Sequence, residues 1–168
     1  MDAFNARFTS TFTPDRLYRV YLERGEAFFI RIGGQGGGGR ALAHQFGLLG
    51  GLVWNLIKKR VEAKFRARLA AVDMRHPSMQ VRAHKHNFRA AAPEFESSTL
   101  EPATTIASHG EHFGCWLVKL RGRKPMTLQL ETLADMQRAV DLLPRFLPRH
   151  SSNVVWNAAK NRFDKRVS

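Results

Sequence analysis

An α+β fold is predicted by three features of this sequence. Two pairs of β-branched and aromatic runs are joined by turns short enough for hairpins, and a capped amphipathic helix follows the second pair. Between the first hairpin and the remaining strands lies a long helical insertion, bounded by a glycine run and a proline.

Residues 1–16 read as an irregular lead-in, with Thr13-Pro14-Asp15 as a breaker. Tyr18-Arg19-Val20-Tyr21-Leu22 and Ala27-Phe28-Phe29-Ile30-Arg31-Ile32 form the first hairpin across Glu23-Arg24-Gly25-Glu26, where glycine supplies the turn. The run from Gly33 to Gly39 is too permissive for regular structure and reads as a hinge. A nucleotide P-loop ends in Gly-Lys-Ser/Thr, and here Gly39 is followed by Arg40-Ala41. The spacing of Gly34, Gly36 and Gly39 fits a dinucleotide fingerprint, but no alternation of strands and helices follows to build its parallel sheet.

From Arg40 the period becomes helical. Leu42, Phe46, Leu49, Val53, Leu56 or Ile57, Val61, Phe65, Leu69 and Val72 recur at three and four, as one apolar stripe. A straight helix from Arg40 to Asp73 would be about 51 Å long, against a radius of gyration of about 15 Å for a compact chain of this size. It must overhang the body or break, and Gly50-Gly51 is the expected break. Ala43, Gly47 and Gly51 repeat at four and form a small-residue face, suited to tight internal packing or to a homo-oligomer. The apolar block Phe46–Ile57 is interrupted by glycines and falls short of the ~20 residues a bilayer span needs.

Past His76-Pro77, strand character returns in Met79-Gln80-Val81-Arg82, Asn87-Phe88-Arg89-Ala90 and Phe95–Glu101, with Pro93 and Pro102 confining these to edges or short pieces. A loop is expected at 103–111, then a second hairpin from Phe113–Leu120 to Met126–Leu130 across Arg121-Gly122-Arg123-Lys124. Thr132 and Asp135 give a capping-box pattern, and Leu133, Met136, Val140 and Leu143 form the apolar face of a helix that Pro144 should stop. Residues 148–168 read as a basic tail, weakly docked or disordered alone.

The order of these elements resembles the small bacterial pleckstrin-homology-like (PH-like) domain proteins of unassigned function, over Leu17–Leu147 without the insertion at 33–73. That resemblance implies a bent antiparallel barrel or sandwich closed by the final helix. It implies no site residues. The first hairpin turn is short and half acidic, and Thr132–Leu143 holds no tryptophan, whereas lipid-binding members use clustered bases in the one and carry a tryptophan in the other.

Charge carries the functional expectation. The net charge is +13, and residues 58–68 and 145–168 each hold six bases and one acid. Two local concentrations of this kind suit an anionic partner. Lys58, Lys59, Arg60, Lys64, Arg66 and Arg68 lie opposite the apolar stripe with Trp54 near the junction, which suits a membrane surface or a protein partner. A nucleic acid using the same helix and the tail is the rival. Arg121, Arg123 and Lys124 form a secondary basic turn.

His84 and His86, as one strand face, and His109 and His112 in the following loop form the alternative metal set. Cys115, the only cysteine, sits in an apolar run and reads as a packed thiol, so no internal disulfide forms. No catalytic constellation is recognisable and no cofactor is expected. The N-terminus lacks a signal-peptide pattern, so the expected location is cytoplasmic, with peripheral placement at the inner face of the membrane. The sequence thus leads to a non-enzymatic binding module.

Overall fold

A computed structural model describes residues 2–9, 14–34, 60, 62–103 and 112–166. Its main sheet has eight strands: β1 (Asp2–Phe8), β2 (Arg16–Glu23), β3 (Glu26–Gly34), β4 (Phe88–Ala91), β5 (Phe95–Pro102), β6 (Gly114–Leu120), β7 (Met126–Leu130) and β8 (His150–Ser152). They lie in the order β4-β3-β2-β1-β7-β6-β5-β8. All neighbours are antiparallel except β8, which runs parallel to β5. Among the described residues three α-helices accompany the sheet: α1 (62–73), α2 (Pro77–Gln80) and α3 (Leu133–Phe146).

The first hairpin forms as its turn chemistry requires. Arg24 and Gly25 both adopt positive φ, 49° and 80°, the two-residue turn whose twist matches the flanking strands. Gly33 and Gly34 continue β3 and are not hinge; the rest of the glycine run lies outside the described residues, as do Gly50-Gly51 and the Ala43, Gly47, Gly51 face.

Alternation along the strands separates two faces. One face gathers Phe4, Val20, Phe29, Leu100, Leu128 and Leu130 around Trp116, whose ring stacks near Phe29 and Phe95 at 5.9 and 6.2 Å and meets Phe4 edge-on at 5.7 Å. Helix α3 closes this core with Met136, Ala139 and Leu143. The opposite face carries Ala3, Tyr21, Phe28 and Ile30, covered by Val72 of α1 and Val81.

Several expectations are corrected. The lead-in is strand β1, because Phe4 and Ala6 enter the main core while β1 pairs with β2 along its whole length, Asp2 to Leu22 through Phe8 to Arg16. Residues 79–82 are not a strand. His76 caps and Pro77 opens α2, a 3₁₀ turn at Val81–Ala83 follows, and Gln80 is buried donating to the Val72 and Arg75 carbonyls at 2.8 and 2.9 Å.

The barrel is not closed. Strand β4 is four residues long and passes through the 3₁₀ turn Ala92–Glu94 into β5, while β8 takes the outer edge of β5. The tail is structured rather than weakly docked: β8 extends the sheet, and a hairpin of β9 (Val154–Asn157) and β10 (Arg162–Lys165) buries Val154 and Phe163 in the main core. Helix α3 runs two residues past Pro144, since the carbonyl that proline leaves without its usual amide costs little in a last turn closed by Leu147 N–H on Leu143 O at 2.8 Å.

The cap of α3 departs from a regular capping box. Thr132 accepts from Asp135 N–H at 3.0 Å, but the shorter Asp135 carboxylate takes the Thr132 hydroxyl at 2.6 Å and the backbone N–H of Asn5 at 2.7 Å. The helix is thereby tied to β1.

Candidate functional site: a basic cluster at the open end of the first hairpin

The site is built outward from β3. The Arg31 backbone N–H donates to Asn87 Oδ1 at 2.8 Å, and Asn87 Nδ2 donates to the Gln80 carbonyl at 2.7 Å, so the connection from α2 to β4 is pinned against the strand. Arg31 Nε donates to the Gly33 carbonyl at 3.2 Å, and its Nη1 lies 3.1 Å from His84 Nε2. Glycine is required at 34, because a Cβ would stand 2.8 Å from the Arg31 guanidinium and 2.9 Å from the Asp15 carbonyl.

His84 and His86 do not share a strand face. They sit in the turn after the 3₁₀ segment, with ring centroids 5.2 Å apart. His84 Nδ1 accepts from the His86 backbone N–H at 3.1 Å while Nε2 faces Arg31. Both neighbours are donors, so an added proton on this ring would oppose an N–H. Burial, then Arg31, Lys85, Arg68 and Arg16, holds His84 below the usual imidazole range. Burial, then Arg16, Lys85, Arg31 and His84, does the same to His86. Cations from β2, β3 and the α2–β4 connection thus act on both imidazoles, and Arg68 of α1 acts on His84 as well. Arg16, Arg68 and Lys85 make no ion pair among the described residues, and Arg16 lies over the Phe8 ring at 5.8 Å.

Helix α1 extends the charge. Arg60, Lys64, Arg66 and Arg68 are exposed while Phe65, Leu69 and Val72 are half-buried, which is the two-sided distribution expected. Arg66 pairs with Glu62 at 3.7 Å. Asp73 seats the end of α1 by accepting from Arg19 Nε and Nη2, both at 3.2 Å, and from the Tyr21 hydroxyl. Burial, helped by Asp73, pushes the Tyr21 phenol well above its ordinary value. Lys58, Lys59 and Trp54 lie outside the described residues. Sequence periodicity finds Arg68; it misses Arg16, Arg31 and Lys85, which the fold alone brings to it.

In the secondary basic turn Arg121, Arg123 and Lys124 are all exposed. Arg123 lies over the Phe88 ring at 4.5 Å, whereas Arg121 lines a separate cavity. His112 stands 4.0 Å from the half-buried Cys115 thiol, whose pKa burial raises, with Glu101 adding to it. Among the described residues no three His, Cys, Asp or Glu side chains converge on a metal position, and His109 lies outside them. Nor is a described helix long and apolar enough to cross a membrane.

Compared with protein-family models, with curated proteins and with solved structures, the chain finds no match.

Proposed function

We propose that this chain is a PH-like, non-enzymatic module that associates peripherally with an anionic membrane surface through the Arg16, Arg31, Arg68, Lys85 cluster and the exposed bases of α1. One observation carries the reading: Arg31 stands 3.1 Å from His84, whose ring lies 5.2 Å from that of His86, and Arg16 and Lys85, from other parts of the fold, act on both imidazoles. Such repulsion costs stability in the free protein and is relieved by a bound anion. Seven antiparallel strands followed by a helix over the main core, with an insertion between β3 and β4, support the PH-like order.

The magnitudes favour reversible association. At about 1 kcal/mol per base near an acidic leaflet, the four cations supply ~4 kcal/mol and Arg60 and Lys64 bring that to ~6 kcal/mol. That corresponds to dissociation constants from about millimolar to tens of micromolar. Single-stranded nucleic acid would call for stacking aromatics beside the bases. The exposed aromatic among the described residues, Trp156, belongs instead to the C-terminal hairpin.

Liposome co-sedimentation tests the proposal. The wild type is expected to sediment with phosphatidylserine vesicles and not with neutral ones, and the Arg16→Glu, Arg68→Glu, Lys85→Glu variant to stay in the supernatant. Sedimentation of that variant at wild-type levels would sink the proposal, and binding to an oligonucleotide but not to vesicles would transfer the site to nucleic acid.

A further inference from the structure

A second site lies beyond the basic cluster. Residues Ala92, Pro93, Phe95, Ser98, Arg121, Leu147, Pro148 and Arg149 enclose a cavity of about 350 Å³, within the range of small-molecule sites. Its location separates it from the cluster. Ala92 N–H donates to the Gly25 carbonyl at 2.8 Å, which places that wall at the turn of the first hairpin. Arg16 and Gly34 pair at the other end, seven strand steps or about 24 Å away.

The lining is ordered by depth. Phe95, Ser98 and Leu147 are buried and make the floor, while Pro93, Pro148, Arg121 and Arg149 are exposed at the rim. Arg121 follows β6 and Arg149 follows α3, so the two guanidinium groups come from separate elements. Neither has a side-chain partner among the described residues. The nearby acids are already engaged, Glu94 by the Ala91 backbone N–H at 2.6 Å and Glu96 by Lys119 at 3.2 Å.

The floor also offers a hydroxyl. Ser98 Oγ accepts from Trp116 Nε1–H at 2.8 Å and lies 2.8 Å from His150 Nδ1. His150 Nε2 is buried without a partner among the described residues. If that nitrogen carried the hydrogen, a donor would be orphaned, the rarer and costlier case in folded proteins. With the hydrogen on Nδ1 instead, Ser98, which lines the cavity, accepts from both rings and its own O–H remains available as a donor.

An apolar floor, a hydroxyl and two arginines at the mouth, neither with a side-chain partner among the described residues, are complementary to a single planar anion on an apolar body. We propose that this cavity binds a small organic monocarboxylate, its carboxylate held by Arg121 and Arg149 and its apolar body against Phe95 and Leu147. A phosphate monoester shares the anionic chemistry, and the test separates the two.

The full-length protein, labelled with ¹⁵N, is titrated with 4-phenylbutyrate, 4-phenylbutanol and phenyl phosphate. Saturable shifts are expected with the carboxylate at the amides of 92–98 and 147–149 and at the Trp116 indole N–H, which reports through Ser98. The alcohol should bind about tenfold more weakly, as should the Arg121→Ala and Arg149→Ala variants with the acid. Arg123→Ala, outside the cavity, and Arg16→Glu, in the cluster, should leave carboxylate binding unchanged, which separates this site from the membrane proposal. Thermal melts of the two cavity variants, both at exposed positions, establish that they fold. Absence of saturable shifts at millimolar ligand, equal binding of acid and alcohol, or unaltered affinity in folded cavity variants would overturn the proposal. Preference for phenyl phosphate would overturn the carboxylate assignment.

Discussion

His150 shows what one residue contributes when its neighbours, rather than solvent, decide its protonation. Burial lowers its pKa to about 4, and its ring is tied to Ser98 and through Ser98 to Trp116 at the centre of the core. The unfolded chain takes up the proton near the ordinary value of about 6.5, so acid favours the unfolded state. The contribution of His150 to stability is therefore complete above about pH 6.5, is lost progressively as pH falls to about 4, and changes no further below that. A shift of this size is worth about 3 kcal/mol for a wholly buried ring. Partial solvation of this half-buried one brings the expected loss nearer ~2 kcal/mol. Urea unfolding midpoints measured between these two pH values should show that slope in the wild type and lack it in His150→Phe. An identical slope in both would assign the acid sensitivity to other groups.

At the scale of elements, the C-terminal hairpin is integral to the domain. Phe163 lies in the main core and meets Trp156 edge-on at 5.1 Å, so Phe163→Ala should cost about 3 kcal/mol, the lower part of the range for buried aromatics. A chemical-denaturation midpoint that moves by less than a third of that would mean the hairpin is only loosely attached. The sequence conveys this poorly, because Pro148, Ser151, Ser152 and Asn153 punctuate the segment and its one apolar patch is short. What stabilises β8 is the free edge of β5, which no local pattern announces. Strand β1 is missed for a related reason: Ala3, Asn5 and Ala6 are poor strand formers, and its seven pairs with β2 override that preference. Helix α2 is different, since His76-Pro77 is a legible start signal outweighed by the β-like Met79–Val81. The two main hairpins and α3 were readable because period, turn and cap agree in each.

Across the whole molecule, charge is arranged by topology as well as by sequence. The basic face of α1 could be read from a spacing of four, but the cluster joins Arg16 to Lys85 across 69 positions of sequence, and only the paired β2 and β3 with α2 folded back on them bring these together. This arrangement gives the membrane proposal a pH signature that a plain basic helix would not have. In the free protein burial, and after it Arg31, Lys85 and Arg16, suppress protonation of His84 and His86, with Arg68 acting on His84 as well. An acidic surface against the cluster offsets those charges, raises both imidazole pKa values and so draws protons onto the complex. Proton uptake on binding means affinity must rise as pH falls through and below the ordinary imidazole range, by at most about tenfold per pH unit for each proton taken up. Vesicle binding by the exposed bases of α1 alone would lack this imidazole-linked rise. The decisive measurement is partitioning onto phosphatidylserine vesicles at fixed ionic strength, stepping pH downward from neutral, for the wild type and for His84→Asn, His86→Asn. The expected outcome is a wild-type affinity that climbs on acidification and a variant that binds comparably at neutral pH but no longer climbs. A wild-type profile as flat as the variant's would separate the imidazoles from the binding surface.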